Sequence, residues 1–176
     1  DGFGFEVSQG SLNVALGPLA NVEATSVFVQ YTDATRTFDE GDVIVAGTES
    51  YTISNAAVAG TVSFAVSGLS ADVLGFVGLT GNFGFSKSGG EIIAVGTQIT
   101  TGLEISDSIF ARIVDASFGL VASDDNFVFE VGGGTFEFGL GPLAELTVAT
   151  VVVRYASETG TGIAADRVLS VGPVIY

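Results

Sequence analysis

The chain contains no cysteine, no histidine, no methionine and no tryptophan, and only three prolines. Absent cysteine excludes disulfides, thiolate metal sites and thiol catalysis, though it leaves the compartment open. Without histidine or cysteine, nucleophilic catalysis would have to pair a serine with Lys87, the sole lysine of the chain. That residue stands in Phe85-Ser86-Lys87-Ser88-Gly89-Gly90, where a solvated lysine at a hairpin tip is expected instead. Cations are scarce altogether: Lys87, Arg36, Arg112, Arg154 and Arg167 face 20 acidic residues, for a net charge of −15. No cationic stripe exists to displace counterions from phosphates, so neither nucleic acid nor an anionic membrane surface is an expected partner. The charge favours cations, solubility and mutual repulsion. No enzyme is expected from this composition.

Long helical patterns are missing too. Residues 56–79 carry a single charge, Asp72, but Gly, Ser and Thr interrupt them, and Thr61-Val62-Ser63-Phe64-Ala65-Val66 alternates with strand period. A membrane helix is therefore not expected. An outer-membrane barrel lacks its aromatic girdles, since there is no tryptophan and only four tyrosines. Membrane insertion is not predicted.

What the chain has is glycine, 25 residues of it, and a hydrophobic content of 47%, ample for a core. Apolar residues stand two apart in Phe3-Phe5-Val7, Leu12-Val14-Leu16, Phe83-Phe85, Ile109-Ala111-Ile113, Phe127-Phe129-Val131 and Phe136-Phe138-Leu140, which sends them to one face of a strand. The phrases beginning at Gly10, Gly60, Gly81 and Gly134 each read as a turn glycine, a small polar residue and an outgoing strand. Further turn signals are Gly17-Pro18, Asp39-Glu40-Gly41-Asp42, Ser88-Gly89-Gly90, Asp124-Asp125-Asn126, Gly132-Gly133-Gly134 and Gly160-Thr161-Gly162. The pattern predicts an all-β fold: about fourteen short antiparallel strands with glycine-rich turns, as an antiparallel meander, a β-sandwich or a superhelical β array. Two stretches are apolar on both faces, Glu91-Ile92-Ile93-Ala94-Val95 and Thr150-Val151-Val152-Val153, and are expected between two layers or against a neighbouring subunit.

The most informative presence is an internal repeat. Residues 3–31 return without a gap at residues 127–155, with 13 of 29 positions identical, where unrelated sequences share about two or three. The identities include Phe5/Phe129, Glu6/Glu130, Val7/Val131, Gly10/Gly134, Tyr31/Tyr155 and the run from Leu16 to Ala20 against that from Leu140 to Ala144. The chain divides into a first unit, residues 1–126, and the start of a second copy, residues 127–176, packed with the first as one body or standing apart from it. A repeat cut partway through its second copy, with no initiator methionine, reads as a segment of a longer polypeptide.

Among the acidic residues, hard-cation chemistry is the relevant one. Asp39, Glu40 and Asp42 in one turn, and Asp124 and Asp125 in another, offer clustered carboxylates to calcium, although no cofactor is required by the pattern. Neither turn follows the helix-loop-helix calcium loop. At the repeat offset Asp42 aligns with Asp166, whereas Asp39 and Glu40 align with Ile163 and Ala164, which argues for plain turn chemistry at the first cluster. The repeated Glu6 and Glu130 lie between inward apolar neighbours. Alternation turns them to the opposite face, solvated or paired with an arginine such as Arg154.

The string from Gly78 to Lys87, with Ile92-Ile93-Ala94-Val95-Gly96 and the run from Asp115 to Val121, resembles the tandem β repeats of very large secreted or cell-surface proteins of aquatic bacteria. The resemblance implies an extracellular or cell-surface location and a structural or adhesive role, with no catalytic residue to carry over. Two functions follow as expectations. One is a structural protein whose partner is itself, joining head to tail through strands into a filament, sheath or surface layer. The other is an adhesin or carbohydrate-binding module using loops, with Tyr51 or Tyr155 exposed beside acidic turns; alternation places Tyr155 in the core.

Overall fold

The computed structural model describes residues 2–15, 17, 19–75, 77–124, 126–157, 163 and 167–176. The all-β expectation holds. Strands are β1 (Gly4–Ala15), β2 (Ala20–Thr32), β3 (Val43–Ala46), β4 (Glu49–Thr52), β5 (Val62–Val73), β6 (Val77–Ser88), β7 (Glu91–Ser106), β8 (Ile109–Ala122), β9 (Phe127–Leu140), β10 (Glu145–Ala149), β11 (Val153–Ala156), β12 (Ser170–Val171) and β13 (Val174–Ile175). Nine of them form one antiparallel sheet in the order β1-β2-β5-β6-β7-β8-β9-β10, with β11 also on β9. Two hairpins, β3-β4 and β12-β13, stand apart from it.

The main strands are longer than the glycine punctuation predicts, from 12 to 16 residues between β5 and β9. Gly10, Gly81 and Gly134, expected at turns, lie inside β1, β6 and β9; only Gly60 sits in a turn. The cause is a row of bulges crossing the sheet at mid-strand, at Gln9, Gly68, Gln98 and Asp115, each with positive φ, continued in β9 by the positive-φ glycines Gly133 and Gly134 without a register shift. Bulges and turns both need backbone that glycine adopts at low cost, so the same residue marks either. Side chains of the row satisfy the opened ladder: Asn82 accepts from the Gly68 N–H at 2.8 Å and donates to Gln98 Oε1 at 2.8 Å.

Each bulge inserts one residue and reverses which alternate positions face a given side. β6 needs no phase change, so Val77, Leu79, Phe83 and Phe85 follow one face from end to end. Neighbouring strands switch phase at the bulge, as from Phe64 and Val66 to Leu69 and Ala71 in β5, and so keep their apolar residues on that same face. Along the row, Ala24, Val66, Ile99 and Ala116 are buried although no other element covers them. Bulged strands bend locally, which lets large flanking side chains close over the row. Phe83 and Phe118, two strands apart, bring their ring centroids to 6.3 Å across Gly96, where a Cβ would lie 2.3 Å from the Phe118 ring.

The opposite face carries the core. Phe28, Ala65 and Val95 of β2, β5 and β7 are covered by Leu169, Val171 and Val174 of the β12-β13 hairpin. Gly84 makes room for this layer, since a Cβ there would lie 2.6 Å from Val171 Cβ. The doubly apolar Ile92 to Val95 stretch therefore lies under a second layer, with Val95 fully buried, as its composition requires. Val152 and Val153, the other such pair, are exposed at the sheet margin. A smaller core of Phe38, Ile53 and Ala57, with Tyr51 against it, holds the β3-β4 lobe.

Gln9 takes φ 63, and its counterpart in the second copy is Gly133 at φ 70. Left-handed backbone costs a residue with Cβ roughly 1–2 kcal/mol, partly offset by the greater unfolded-state freedom of glycine. Gln9→Gly is expected to stabilise the protein by about 0.5–1 kcal/mol, read as a higher urea midpoint at unchanged slope.

Candidate assembly surfaces

The repeat is a repeated structure, register for register. In the first copy Phe5 faces Tyr31, Val7 faces Val29, Leu12 faces Ala24 and Val14 faces Val22. At 124 residues further on, Phe129 faces Tyr155, Val131 faces Val153, Phe136 faces Val148 and Phe138 faces Leu146. The strand equivalent to β2 is interrupted near Thr150, giving β10 and β11. Both hairpins are tied off alike. Asp33 N–H donates to Phe3 O at 2.9 Å and the Asp33 carboxylate accepts from Phe3 N–H; Ser157 N–H donates to Phe127 O at 2.8 Å and its hydroxyl accepts from Phe127 N–H.

The equivalence runs past residue 155 once one residue is inserted. At an offset of 125, Val45 facing Ser50 and Ala46 facing Glu49 become Ser170 facing Ile175 and Val171 facing Val174, with the turn glycines Gly47 and Gly172 both at positive φ. Tyr51 becomes Tyr176, and each tyrosine finds the repeated carboxylate: Tyr51 OH donates to Glu6 at 3.0 Å and Tyr176 OH to Glu130 at 3.0 Å. Glu6 is buried, and it further accepts from Gln30 Nε2, the Ser54 N–H and the Ser54 hydroxyl, each at 2.7 Å. Glu130 instead pairs with Arg154 Nε at 2.6 Å, the arginine expected from the pattern. Burial first, then the Glu130 bond and charge, push the Tyr176 hydroxyl up to about 12, and Tyr51 moves upward from the same leading cause.

No family model, curated protein or solved structure matches this chain.

The acidic turns do not converge on a common point. Asp39, Glu40 and Asp42 are exposed in the turn leading into β3, where Asp42 Oδ2 accepts from the Asp39 N–H at 2.9 Å, turn chemistry that closes the loop. Asp124 is exposed between β8 and β9, while Asp125, Leu16, Pro18, the Gly160 to Gly162 turn, Ala164 and Asp166 lie outside the described residues. Among the described residues no group of three acidic side chains is placed to hold a metal ion. Tyr51 is half-buried against Glu6 and Ser8, whereas Tyr155, expected in the core, is 60% exposed beside Phe127. A polar cleft of about 390 Å³ runs between Asn55–Val58 and Ser170–Gly172, floored by Gln30, Ser63 and Ser86, with no aromatic ring in its lining. Among the described residues there is no helix long and apolar enough to cross a membrane.

One half-buried carboxylate does have a structural task. Asp33 is held at about 2 by the Phe3 N–H first, then by Thr35 and Arg36. A depressed value means that the stabilisation is present above the ordinary carboxylate range and is lost as pH falls from about 4 to about 2. The protection of the Phe3 amide, its exchange relative to the intrinsic rate at each pH, is expected to fall over that window, while the protection of Phe127, held by the non-titrating Ser157, stays unchanged.

Among the described residues two kinds of surface remain unsatisfied. β1 bonds only to β2, leaving a twelve-residue edge whose one charge, Glu6, is buried, and at the other end of the sheet β10 and β11 bond only to β9. The apolar face is open, with Phe5, Val7, Phe64, Phe85, Leu103 and Leu146 each at least 40% exposed. Monomeric proteins seldom leave so continuous an apolar face or so long a bare edge in water.

Proposed function

We propose that this protein is an extracellular structural repeat whose partner is a further copy of itself, joined head to tail through β-strands into a filament, sheath or surface layer. The observation that carries this reading is the register-for-register recurrence of one hairpin at two places in one open sheet. At its second occurrence the hairpin's first strand, β9, lies inside the sheet against β8; at its first occurrence that strand, β1, ends the sheet with a bare edge. A unit that repeats in this way adds strands without closing, which is the geometry of filaments and not of rings. The acidic surface, −15 per chain, limits lateral clumping of such an assembly. Electron microscopy of the purified chain, with and without a calcium chelator, tests the reading. Ordered filaments or sheets are expected in both conditions; dissolution on chelation would place calcium at the acidic turns in the contact, and dispersed particles throughout would overturn the structural reading.

A further inference from the structure

We infer that the bare edge of β1 is built to receive the β8 strand of a preceding repeat unit, as β9 receives β8 within this chain, in one defined register, so that successive units continue a single sheet. The inference rests on the self-association proposed above and names its surface. The evidence is that the chain holds the same strand in both states. β9, the second copy of β1, is bonded along its length to β8, from Ile109 facing Leu140 to Ala122 facing Phe127. Subtracting the repeat offset of 124 places Leu120 against Phe5, Phe118 against Val7, Val114 against Ser11, Ile113 against Leu12 and Ala111 against Val14. On the apolar face every pair is apolar against apolar except Ala116 against Gln9, and no like charges meet, so the sequence of β1 largely suits β8 as that of β9 does.

A second observation agrees independently. The β12-β13 hairpin that follows β11 reaches back across β5, β6 and β7 and buries Leu169 and Val171. Its counterpart β3-β4 follows β2 and projects with Ile44 and Ala46 exposed, the equivalents of the buried Leu169 and Val171. With β1 laid on the β8 of a preceding repeat unit, β3-β4 falls where β12-β13 falls in this chain. Val152, equivalent to the buried Phe28, is likewise 53% exposed, as expected where the next hairpin has not arrived. Glu49, standing where Val174 is buried, is the one hairpin residue that fits less well.

The test is a tandem chain in which residues 1–126 are followed directly by residues 3–176, so that the junction Asn126-Phe3 reproduces Asn126-Phe127. Because the chain has no cysteine, two introduced thiols report alone. Val114→Cys in the first unit with Ser11→Cys in the second should close a disulfide nearly completely, directly opposed strand residues being within disulfide range. Arg112→Cys with Asn13→Cys, in the same register, checks the result at a second site should the first pair disturb folding. Arg112→Cys with Ser11→Cys reads the two-residue slip that would keep the same faces together. Closure of the first two pairs but not the third supports the inference. Closure of the slipped pair, or of none in a folded tandem, overturns it. Filaments of the single chain without closure in the tandem would sink this register alone, and closure without filaments would sink only the homopolymer.

Discussion

Alanine at Glu6 should cost about 3–5 kcal/mol of stability, roughly 6–20 °C in melting temperature. The carboxylate is buried and accepts four hydrogen bonds, from Gln30, Tyr51 and both the amide and the hydroxyl of Ser54, without any cation beside it. Removing it strands several donors in a place that water reaches poorly, at about 1–3 kcal/mol for each one that finds no substitute. Gln30 and Tyr51 retain one other partner each, Asn55 O and Ser8, which is why the total stays below the sum. Glutamine at the same site keeps the volume but sets an amide donor against donors, and should cost about 1.5–3 kcal/mol. The matching change Glu130→Gln should cost about 1 kcal/mol or less, because Glu130 is partly accessible and its arginine is mostly solvated. Urea unfolding of the three variants measures the contrast. Equal losses at Glu6 and Glu130 would contradict the environments described.

The second large effect is expected at Leu169→Ala. Leu169 is 1% exposed at the centre of the layer formed with Phe28, Ala65, Val95, Val171 and Val174, and its backbone closes the hairpin through two bonds to Tyr176. Truncation in a packed core costs about 2–5 kcal/mol, depending on how far the neighbours collapse. Gly84 and Ala65 line this layer with backbone and a single methyl group, so little side chain is available to fill the space. A spectroscopic consequence follows. Tyr176 owes its hydroxyl value of about 12 mainly to burial, and loosening the hairpin should bring its ionisation down toward 10 in an ultraviolet titration. The sign is definite: a raised value marks stabilisation present below pH 10 that disappears as pH climbs toward 12. An unchanged titration in Leu169→Ala would mean that the tyrosine is held by Glu130 alone.

Much of the architecture is legible in the residues. Strand alternation identified the all-β class, and the repeat identified the hairpin that recurs. The phase switch from Phe3-Phe5-Val7 to Leu12-Val14 was also readable, and it marks a bulge inside one long strand. A glycine beside such a switch is ambiguous because bulge and turn demand the same backbone, and only the pairing partner decides. Glu130 with Arg154 was within reach of sequence reasoning, since the two face each other directly in the hairpin register. Glu6 with Tyr51 was not, because the partners lie 45 residues apart on different elements. The inserted residue that moves the offset from 124 to 125 hides the equivalence of Tyr51 and Tyr176 from an ungapped comparison. The core position of Tyr155 failed for a related reason: alternation assigns a face but does not say whether that face is covered.

Hydrogen exchange along β1, compared between dispersed and assembled protein, tests the central claim most directly. In dispersed protein the β1 amides not bonded to β2 should exchange freely, unlike those of β9, which is bonded on both sides. On assembly through strand edges, they should slow to the level of their β9 counterparts. Assemblies in which those amides still exchange freely would show that the copies meet elsewhere, and the continuous-sheet account would fail.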